Sequence, residues 1–184
     1  TIVAPRGTVE KFWNRVRKWH TPARLVRVSQ PVLAVDRLSL RQHANGVPVR
    51  RAVAAEWRIV ANNSARMIEH ELAYRPRDSM EFDTNVRQTV ERGLWWVGEA
   101  NGELCFFCNA GPRSSATLQL QGIWTPPEHR GKGYGSAALA AISEELLNDN
   151  PTLSLYVNDF NEPALALYRR IGFSRVSEFS TILF

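Results

Sequence analysis

The sequence predicts a mixed α/β fold, an α+β arrangement with parallel and antiparallel strands in one sheet. From residue 47 onward, strand-like and helix-like patterns follow the order β-α-α-β-β-β-α-β-α-β. Apolar residues make up 44% of the 184 positions and charged residues 22%, which is typical of a globular chain of about one domain. This composition excludes disordered, collagen-like and disulfide-scaffold chains. No apolar run approaches the roughly 20 residues of a membrane-spanning helix, so no membrane partner is expected.

The charge is distributed unevenly along the chain. Residues 1–60 hold 12 Lys and Arg against 3 Asp and Glu, so the net charge of +5 conceals a basic N-terminal third. A polar stretch with Gly46 and Pro48 suggests a boundary between a basic segment, 1–46, and a second unit, 47–184. Two cysteines and no secretory leader predict a reduced, cytoplasmic protein. The first residue is not Met, so we expect a processed product or a cut chain.

The N-terminal segment is predicted to contain one helix and two short strands. Residues 9–19 repeat apolar side chains at helical spacing, and Arg and Lys occupy much of the remaining surface. Residues 25–29 and 32–36 favour strands that Pro31 interrupts.

The larger unit is predicted to alternate strands and helices, with a tight hairpin turn at Asn101-Gly102 and a helix end at Pro76. The predicted strands are 47–53, 94–99, 103–108, 116–125, 153–158 and 177–184, and the predicted helices are 54–74, 80–92, 136–148 and 162–171.

The strongest functional signal lies between the strand at 116–125 and the next helix. Two prolines end the strand, and the alternating glycines Gly131, Gly133 and Gly135 lead into the helix. Glycine lets backbone N–H groups approach a ligand closely, and the helix N-terminus adds donors and a positive dipole end. This loop is therefore predicted to bind a phosphorylated ligand, with a glycine-rich turn that binds nothing as the alternative.

The spacing excludes two common phosphate motifs. The Walker pattern requires Ser or Thr after its Lys, whereas Lys132 precedes Gly133. The dinucleotide pattern Gly-x-Gly-x-x-Gly follows the first strand of its domain, whereas these glycines alternate and lie late in the chain.

A second motif follows the strand at 153–158. Asn161 stands at a predicted helix entrance, and Tyr168 lies two turns further along the same side of that helix. Taken alone, the two residues are typical of a helix cap and a core aromatic.

Together the two motifs resemble the GNAT N-acetyltransferase superfamily. The pyrophosphate-binding signature of that superfamily is matched by Arg130, Gly133 and Gly135. Its closing pattern, Asn-x-x-Ala-x-x-Leu-Tyr-x-x-x-Gly-Phe, is matched by Asn161, Ala164, Leu167, Tyr168, Gly172 and Phe173. The resemblance covers about residues 47–184. It implies a GNAT acyl-CoA N-acyltransferase fold with two splayed central parallel strands and acetyl-CoA, a co-substrate, in the gap between them.

The resemblance also implies residue roles. Tyr168 would protonate the departing thiolate, Asn161 would bond the pantetheine arm, and no metal is called for. The residues expected to bind acetyl-CoA, besides Asn161, are Ile123, Trp124 and Thr125 at the strand end, then Arg130, Gly131, Lys132, Gly133, Tyr134, Gly135 and Ser136 around the pyrophosphate. Gly122 in the first central strand has two interpretations, a bulge that starts the splay or close packing against a Trp.

The reaction implied is direct attack of a primary amine on the thioester in a ternary complex. A backbone N–H of the strand at 116–125 is the expected oxyanion donor. Positions Gln119, Gln121 and Tyr156 of the central strands offer no good base. The Glu-His-Glu run at 69–71 is a candidate on the acceptor side, although three titratable residues in a row are more typical of a solvated helix face. The acceptor amine, small molecule or protein, stays open.

A non-catalytic module remains the alternative. It would sense acetyl-CoA or bind nucleic acid through the basic N-terminal third. Because a basic helix more often packs its aromatic face on neighbouring structure, nucleic acid is not expected as a partner. The run at 24–31 loosely resembles bacterial members with a degenerate second acetyltransferase-like half, so the N-terminal segment is interpreted as its remnant. A homodimer is left open.

Overall fold

The computed structural model describes residues 1–42, 46–72 and 80–184. Its strands are β1 (Ile2–Pro5), β2 (Leu25–Asp36), β3 (Val49–Arg51), β4 (Trp95–Ala100), β5 (Glu103–Arg113), β6 (Leu118–Trp124), β7 (Thr152–Tyr156) and β8 (Ser174–Leu183). Its helices are α1 (Arg6–Val16), α2 (Trp57–Leu72), α3 (Met80–Glu91), α4 (Tyr134–Leu146) and α5 (Glu162–Arg170), and short 3-10 turns lie at Ala54–Glu56 and Pro127–His129.

All eight strands form one mixed sheet in the order β1-β8-β2-β7-β6-β5-β4-β3. Successive side chains of a strand point to opposite faces of the sheet, so each face carries its own hydrophobic core, and helices cover both. Phe106 joins the core that contains α4 and α5, whereas Phe107 joins the core that contains α2 and α3. The predicted fold class is confirmed.

The two central strands are parallel and splayed, as predicted. β6 and β7 pair only at Leu118 with Leu153 and at Gln119 with Ser154, and α4 connects them. Beyond Gln119, β6 continues to Trp124 with no β7 partner, while β7 keeps pairing with β2 on its other side. The strands therefore part toward their carboxyl ends and leave a gap with one free backbone edge.

The N-terminal segment is built into the same sheet. β2 lies between β7 and β8, antiparallel to both, and β1 forms the outer edge beside β8. The prediction of two strands broken by Pro31 is wrong: one strand runs through Pro31, which lies between two register shifts. Pro31 pairs with Glu178 of β8, and its carbonyl accepts from the N–H of Val157 over 3.2 Å. Its missing N–H faces the same side, just past the last β2–β7 pair, so the ladder loses no regular bond within β7. The division into units 1–46 and 47–184 stays a prediction.

Most other predicted elements are confirmed within a few residues. The hairpin turns at Asn101 and Gly102, which both have positive φ. The helix predicted over 54–74 begins as a 3-10 turn and continues as α2 to Leu72, whereas the part at Tyr74 and the end at Pro76 lie outside the described residues. Among the helices that the structure describes, none is both long and apolar enough to cross a membrane.

A buried polar cluster joins β2 to the chain that leaves β7. Gln30 donates from Nε2 to Oδ1 of Asn158 over 3.0 Å, and the hydroxyl of Thr181 donates to Oε1 of Gln30. All three residues are buried. Buried polar groups need such partners, so the cluster fixes β2 against β8 and against the start of the β7–α5 loop.

We expect Gln30→Ala to lower the free energy of unfolding by about 1–3 kcal/mol, because it leaves two buried polar groups without their partner. Urea denaturation measures the change. The exposed Gln42, whose amide lies 3.5 Å from Glu144, provides the control Gln42→Ala, for which we expect a change within about 0.5 kcal/mol. Equal effects of the two substitutions would contradict this account of the cluster.

Candidate active site

β6 contains a bulge beside the gap that opens beyond Gln119. Gly122 has φ of +56°, and the register shifts between the pair Phe107–Trp124 and the pair Asn109–Gln121. A Cβ on Gly122 would lie 2.9 Å from Cη2 of Trp95, so the glycine also packs closely against a Trp. Gly122 therefore combines a bulge with close packing against a Trp, whereas the splay already begins beyond Gln119.

The glycine loop presents a run of backbone donors. Gly131 and Gly133 have φ of +74° and +79°, and Gly133 caps α4. Within the described part of the chain, the first backbone bond at this helix start runs from Ala137 N to Gly133 O, 3.1 Å. The amides of residues 131–136 are thus left at a helix N-terminus, an arrangement that suits a pyrophosphate.

Gly135 fits the first turn of α4 closely against the end of β6. A Cβ there would lie 2.7 Å from Oγ1 of Thr125. Only a residue without a side chain allows this approach, so the loop stays next to the open edge of the gap.

Side chains around the loop brace it from within. Arg130 donates from Nε to the carbonyl of Thr125 over 2.9 Å, and Lys132 donates to the carbonyl of Glu128 over 3.1 Å. The hydroxyl of Tyr134 accepts from the amide of Asn101 over 3.4 Å. Ser136 is buried in the first turn of α4. These contacts hold the loop in shape, and contacts with a phosphate stay a prediction.

Trp124 closes the carboxyl end of β6 and carries an unpartnered donor. Its side chain is 6% exposed, the guanidinium of Arg130 lies 4.6 Å from its ring centroid, and the ring of His70 meets it edge-on at 5.6 Å. Within the described residues its indole Nε1 has no hydrogen-bond partner. The sequence pointed only to the backbone of Trp124, and the indole was missed because its surroundings come from distant elements.

Asn161 caps α5, as its local interpretation predicts. Its Oδ1 accepts from the backbone N–H of Ala164 over 3.2 Å, and Pro163 lies in the first turn. The cap fixes the entrance of α5 beside the gap. A bond from Asn161 to a pantetheine arm stays a prediction.

Tyr168 lies on the side of α5 that faces the sheet. It is 7% exposed, and its ring packs against Phe173 with centroids 6.0 Å apart. Burial first, and then the nearby Cys108 and Glu71, raise the pKa of the Tyr168 phenol. The hydroxyl therefore keeps its proton at neutral pH, as a proton donor must.

On the other face of the sheet, α2 forms an open cleft beside Trp124. The cleft holds about 510 Å³ and is lined by Asn62, Arg66, Glu69, His70, Trp124 and Pro127. Arg66 forms two 2.9 Å hydrogen bonds with Glu128, and this pairing lowers the pKa of that carboxyl to about 2. The cleft therefore has one wall on α2 and the other on the loop that follows β6.

The last residues of α2 contact the N-terminal segment. Arg27 of β2 donates from Nη2 to the carbonyl of Glu71 over 2.9 Å, and its Nη1 lies 3.9 Å from the Glu71 carboxylate. No signal in the sequence predicts this pair, because 44 positions separate the two residues and no motif links them.

Comparison with known proteins assigns this chain to a family. The model of the acetyltransferase (GNAT) family matches residues 56–173. A mycothiol acetyltransferase from Acidimicrobium ferrooxidans is 39% identical over 107 residues, which cover 52% of this chain and 34% of that protein. The chain thus spans about a third of that relative's length.

Solved structures share the fold. An acetyltransferase of the GNAT family from Colwellia psychrerythraea superposes with a TM-score of 0.69 at 11% identity, over 100% of this chain and 63% of that one. A predicted acetyltransferase with acetyl-CoA from Clostridium acetobutylicum gives a TM-score of 0.55 at 15% identity, over 71% of this chain and 91% of that one. The family match covers more than half of the chain, so this protein belongs to the GNAT acetyltransferase family.

Proposed function

We propose that this protein transfers an acetyl group from acetyl-CoA to a primary amine by direct attack in a ternary complex. The observation that carries the proposal is the open edge of β6 beside a helix start with unpaired amides. The edge suits the amide groups of a pantetheine arm, and the helix start suits a pyrophosphate. Acetyl-CoA would supply an activated acetyl thioester at the end of that arm.

The residues proposed to bind acetyl-CoA follow the course of this edge. The backbone at Ile123, Trp124 and Thr125 would pair with the pantetheine arm, and Asn161 would bond it from the other side of the gap. The pyrophosphate would be held by the loop residues Arg130, Gly131, Lys132, Gly133, Tyr134, Gly135 and Ser136.

Two further groups are proposed to act on the reacting atoms. Tyr168 would donate its phenol proton to the sulfur as the acetyl group leaves, because a phenol is fully protonated at neutral pH. A backbone N–H of β6 beyond Gln119 would stabilise the negative charge on the acetyl oxygen, because that edge has no β7 partner.

We expect acetyl-CoA at 100 times its dissociation constant to stabilise the protein by about 2.7 kcal/mol, since it binds only the folded chain. For a chain of this size the shift in Tm is about 5–10 °C. Thermal unfolding with acetyl-CoA, and with adenosine diphosphate as the control, measures it. A shift well above the control supports the proposal, whereas folded protein without a shift would mean that the glycine loop binds no acetyl-CoA.

A further inference from the structure

We infer that Glu71 is the base that accepts a proton from the acceptor amine, and that Arg27 of the N-terminal segment positions it. The inference rests on the proposed function and identifies a group that the two central strands do not supply. Positions Gln119, Gln121 and Tyr156 carry no side chain that would be a good base at neutral pH.

Glu71 is brought close to the open end of the gap by three elements. It lies in the last turn of α2, which reaches from β6, where the ring of His70 meets Trp124 at 5.6 Å, to Arg27 of β2. β2 pairs with β7 only from Val32 onward, so Arg27 lies beyond the carboxyl end of β7, at the open end of the gap. Glu71 also contributes to the raised pKa of Tyr168, the proposed proton donor.

Arg27 anchors the last turn of α2 and leaves the Glu71 carboxyl open to a substrate. Its side chain is only 13% exposed, its Nη2 donates to the backbone carbonyl of Glu71 over 2.9 Å, and its Nη1 forms an ion pair with the carboxylate over 3.9 Å. The Glu71 side chain remains 40% exposed, so an amine can reach it. A cation at a helix C-terminus also complements the helix dipole, which favours this arrangement.

The charges around Glu71 act on its basicity in opposite directions. Partial burial raises its pKa above the ordinary 4.5, while Arg27 and His70 lower it. The net effect is a carboxylate that is more basic than an exposed glutamate. Glu71 in turn contributes to the raised pKa values of Tyr156 and Tyr168.

Every proton is accounted for in the proposed acetyl transfer. An alkylammonium acceptor gives one proton to the Glu71 carboxylate, and the free amine forms the N–C bond to the acetyl carbonyl carbon. As the C–S bond breaks, Tyr168 gives its phenol proton to the sulfur. The second proton of the nitrogen then returns to the Tyr168 oxygen, and Glu71 releases its proton to water.

We expect Glu71→Gln to lower kcat/KM for any amine that the wild type acetylates by about 10²-fold or more, the usual contribution of a general base. The acetyl-CoA shift in Tm should be unchanged. Because the base acts in its ionised form, wild-type kcat/KM should fall as the pH drops through the pKa of Glu71, and this acid limb should be absent from the variant. Glu91→Gln is the matched control, since Glu91 pairs with Arg87 on the surface of α3 over 2.8 Å.

The positioning role of Arg27 has its own readout. Arg27→Gln removes a charge that lowers the pKa of Glu71, so the acid limb should move to higher pH, a change that a merely structural contact would not produce. Carbon-13 NMR titration of the Glu71 carboxyl in the full chain measures the same pKa without any turnover.

The outcomes separate this inference from the proposed function. Full activity of Glu71→Gln would overturn the assignment of the base and leave the proposed acetyl transfer intact. If no amine is acetylated and no acetyl-CoA shift occurs, the proposed function fails. A Glu71 pKa that is not raised above the ordinary glutamate value, or one that does not respond to Arg27→Gln, overturns the inference whether or not turnover has been found.

Discussion

Tyr168→Phe should lower kcat by about 10²–10⁴-fold, the range that general acid catalysis contributes, and should leave acetyl-CoA binding intact. The phenol is buried against Phe173, so removing one oxygen preserves the packing of α5. Release of the free CoA thiol in the presence of an amine substrate measures kcat, and thermal unfolding with acetyl-CoA measures binding.

Either of two results would count against this role for Tyr168. Unchanged kcat would show that the thiolate leaves without its proton. Loss of the acetyl-CoA shift together with kcat would show that the residue supports binding rather than proton transfer. Glu91→Gln serves again as the control for correct folding, because it breaks only the exposed ion pair between Arg87 and Glu91 on the surface of α3.

Gly172→Ala should destabilise the protein by about 3–5 kcal/mol, which is exceptional for the addition of one methyl group. Gly172 has φ of +105°, and a Cβ there would lie 2.0 Å from the carbonyl oxygen of Ser39. That oxygen belongs to the backbone, so it cannot move aside as the end of a flexible side chain would. Denaturation in urea measures the loss of free energy, and a lowered yield of folded protein would agree with it.

Gly7→Ala is the matched control for this substitution. Gly7 lies in α1, has no neighbour within 4 Å of an added Cβ, and should gain slightly from a better helix former. A Gly172→Ala variant as stable as Gly7→Ala would show that the contact between α5 and the chain after β2 is looser than described.

The parts of the fold that the sequence predicts well are those set by local patterns. The hairpin at Asn101-Gly102 follows from its turn residues, and the parallel pair β6–β7 follows from the helix that connects the strands. The glycine loop and the Asn161 cap are likewise local, and both lie where the motifs place them.

The parts that the sequence misses depend on distant partners. The alternation of residues 25–29 indicates a strand, but nothing in it names β7 and β8 as the neighbours, and Pro31 argues against a central position. The Arg27–Glu71 contact depends on that placement of β2, so the sequence could not predict it for the same reason. Periodicity reports which face of an element is buried; it does not report what covers that face.

The position of β2 also has a consequence for how the chain folds. The carbonyl of Val28 accepts a hydrogen bond from the hydroxyl of Ser180, 152 positions away, so this part of the sheet forms only when β2 meets β8. Pairings of such long range are slow, because the entropy of closing the loop is lost before the contacts form. During synthesis, β2 finds its partners only after β7 and then β8 have emerged, and until then its apolar side chains stay exposed. A chaperone that shields an early strand would therefore act on this segment, and a truncation that removes β8 would leave one edge of β2 without its partner.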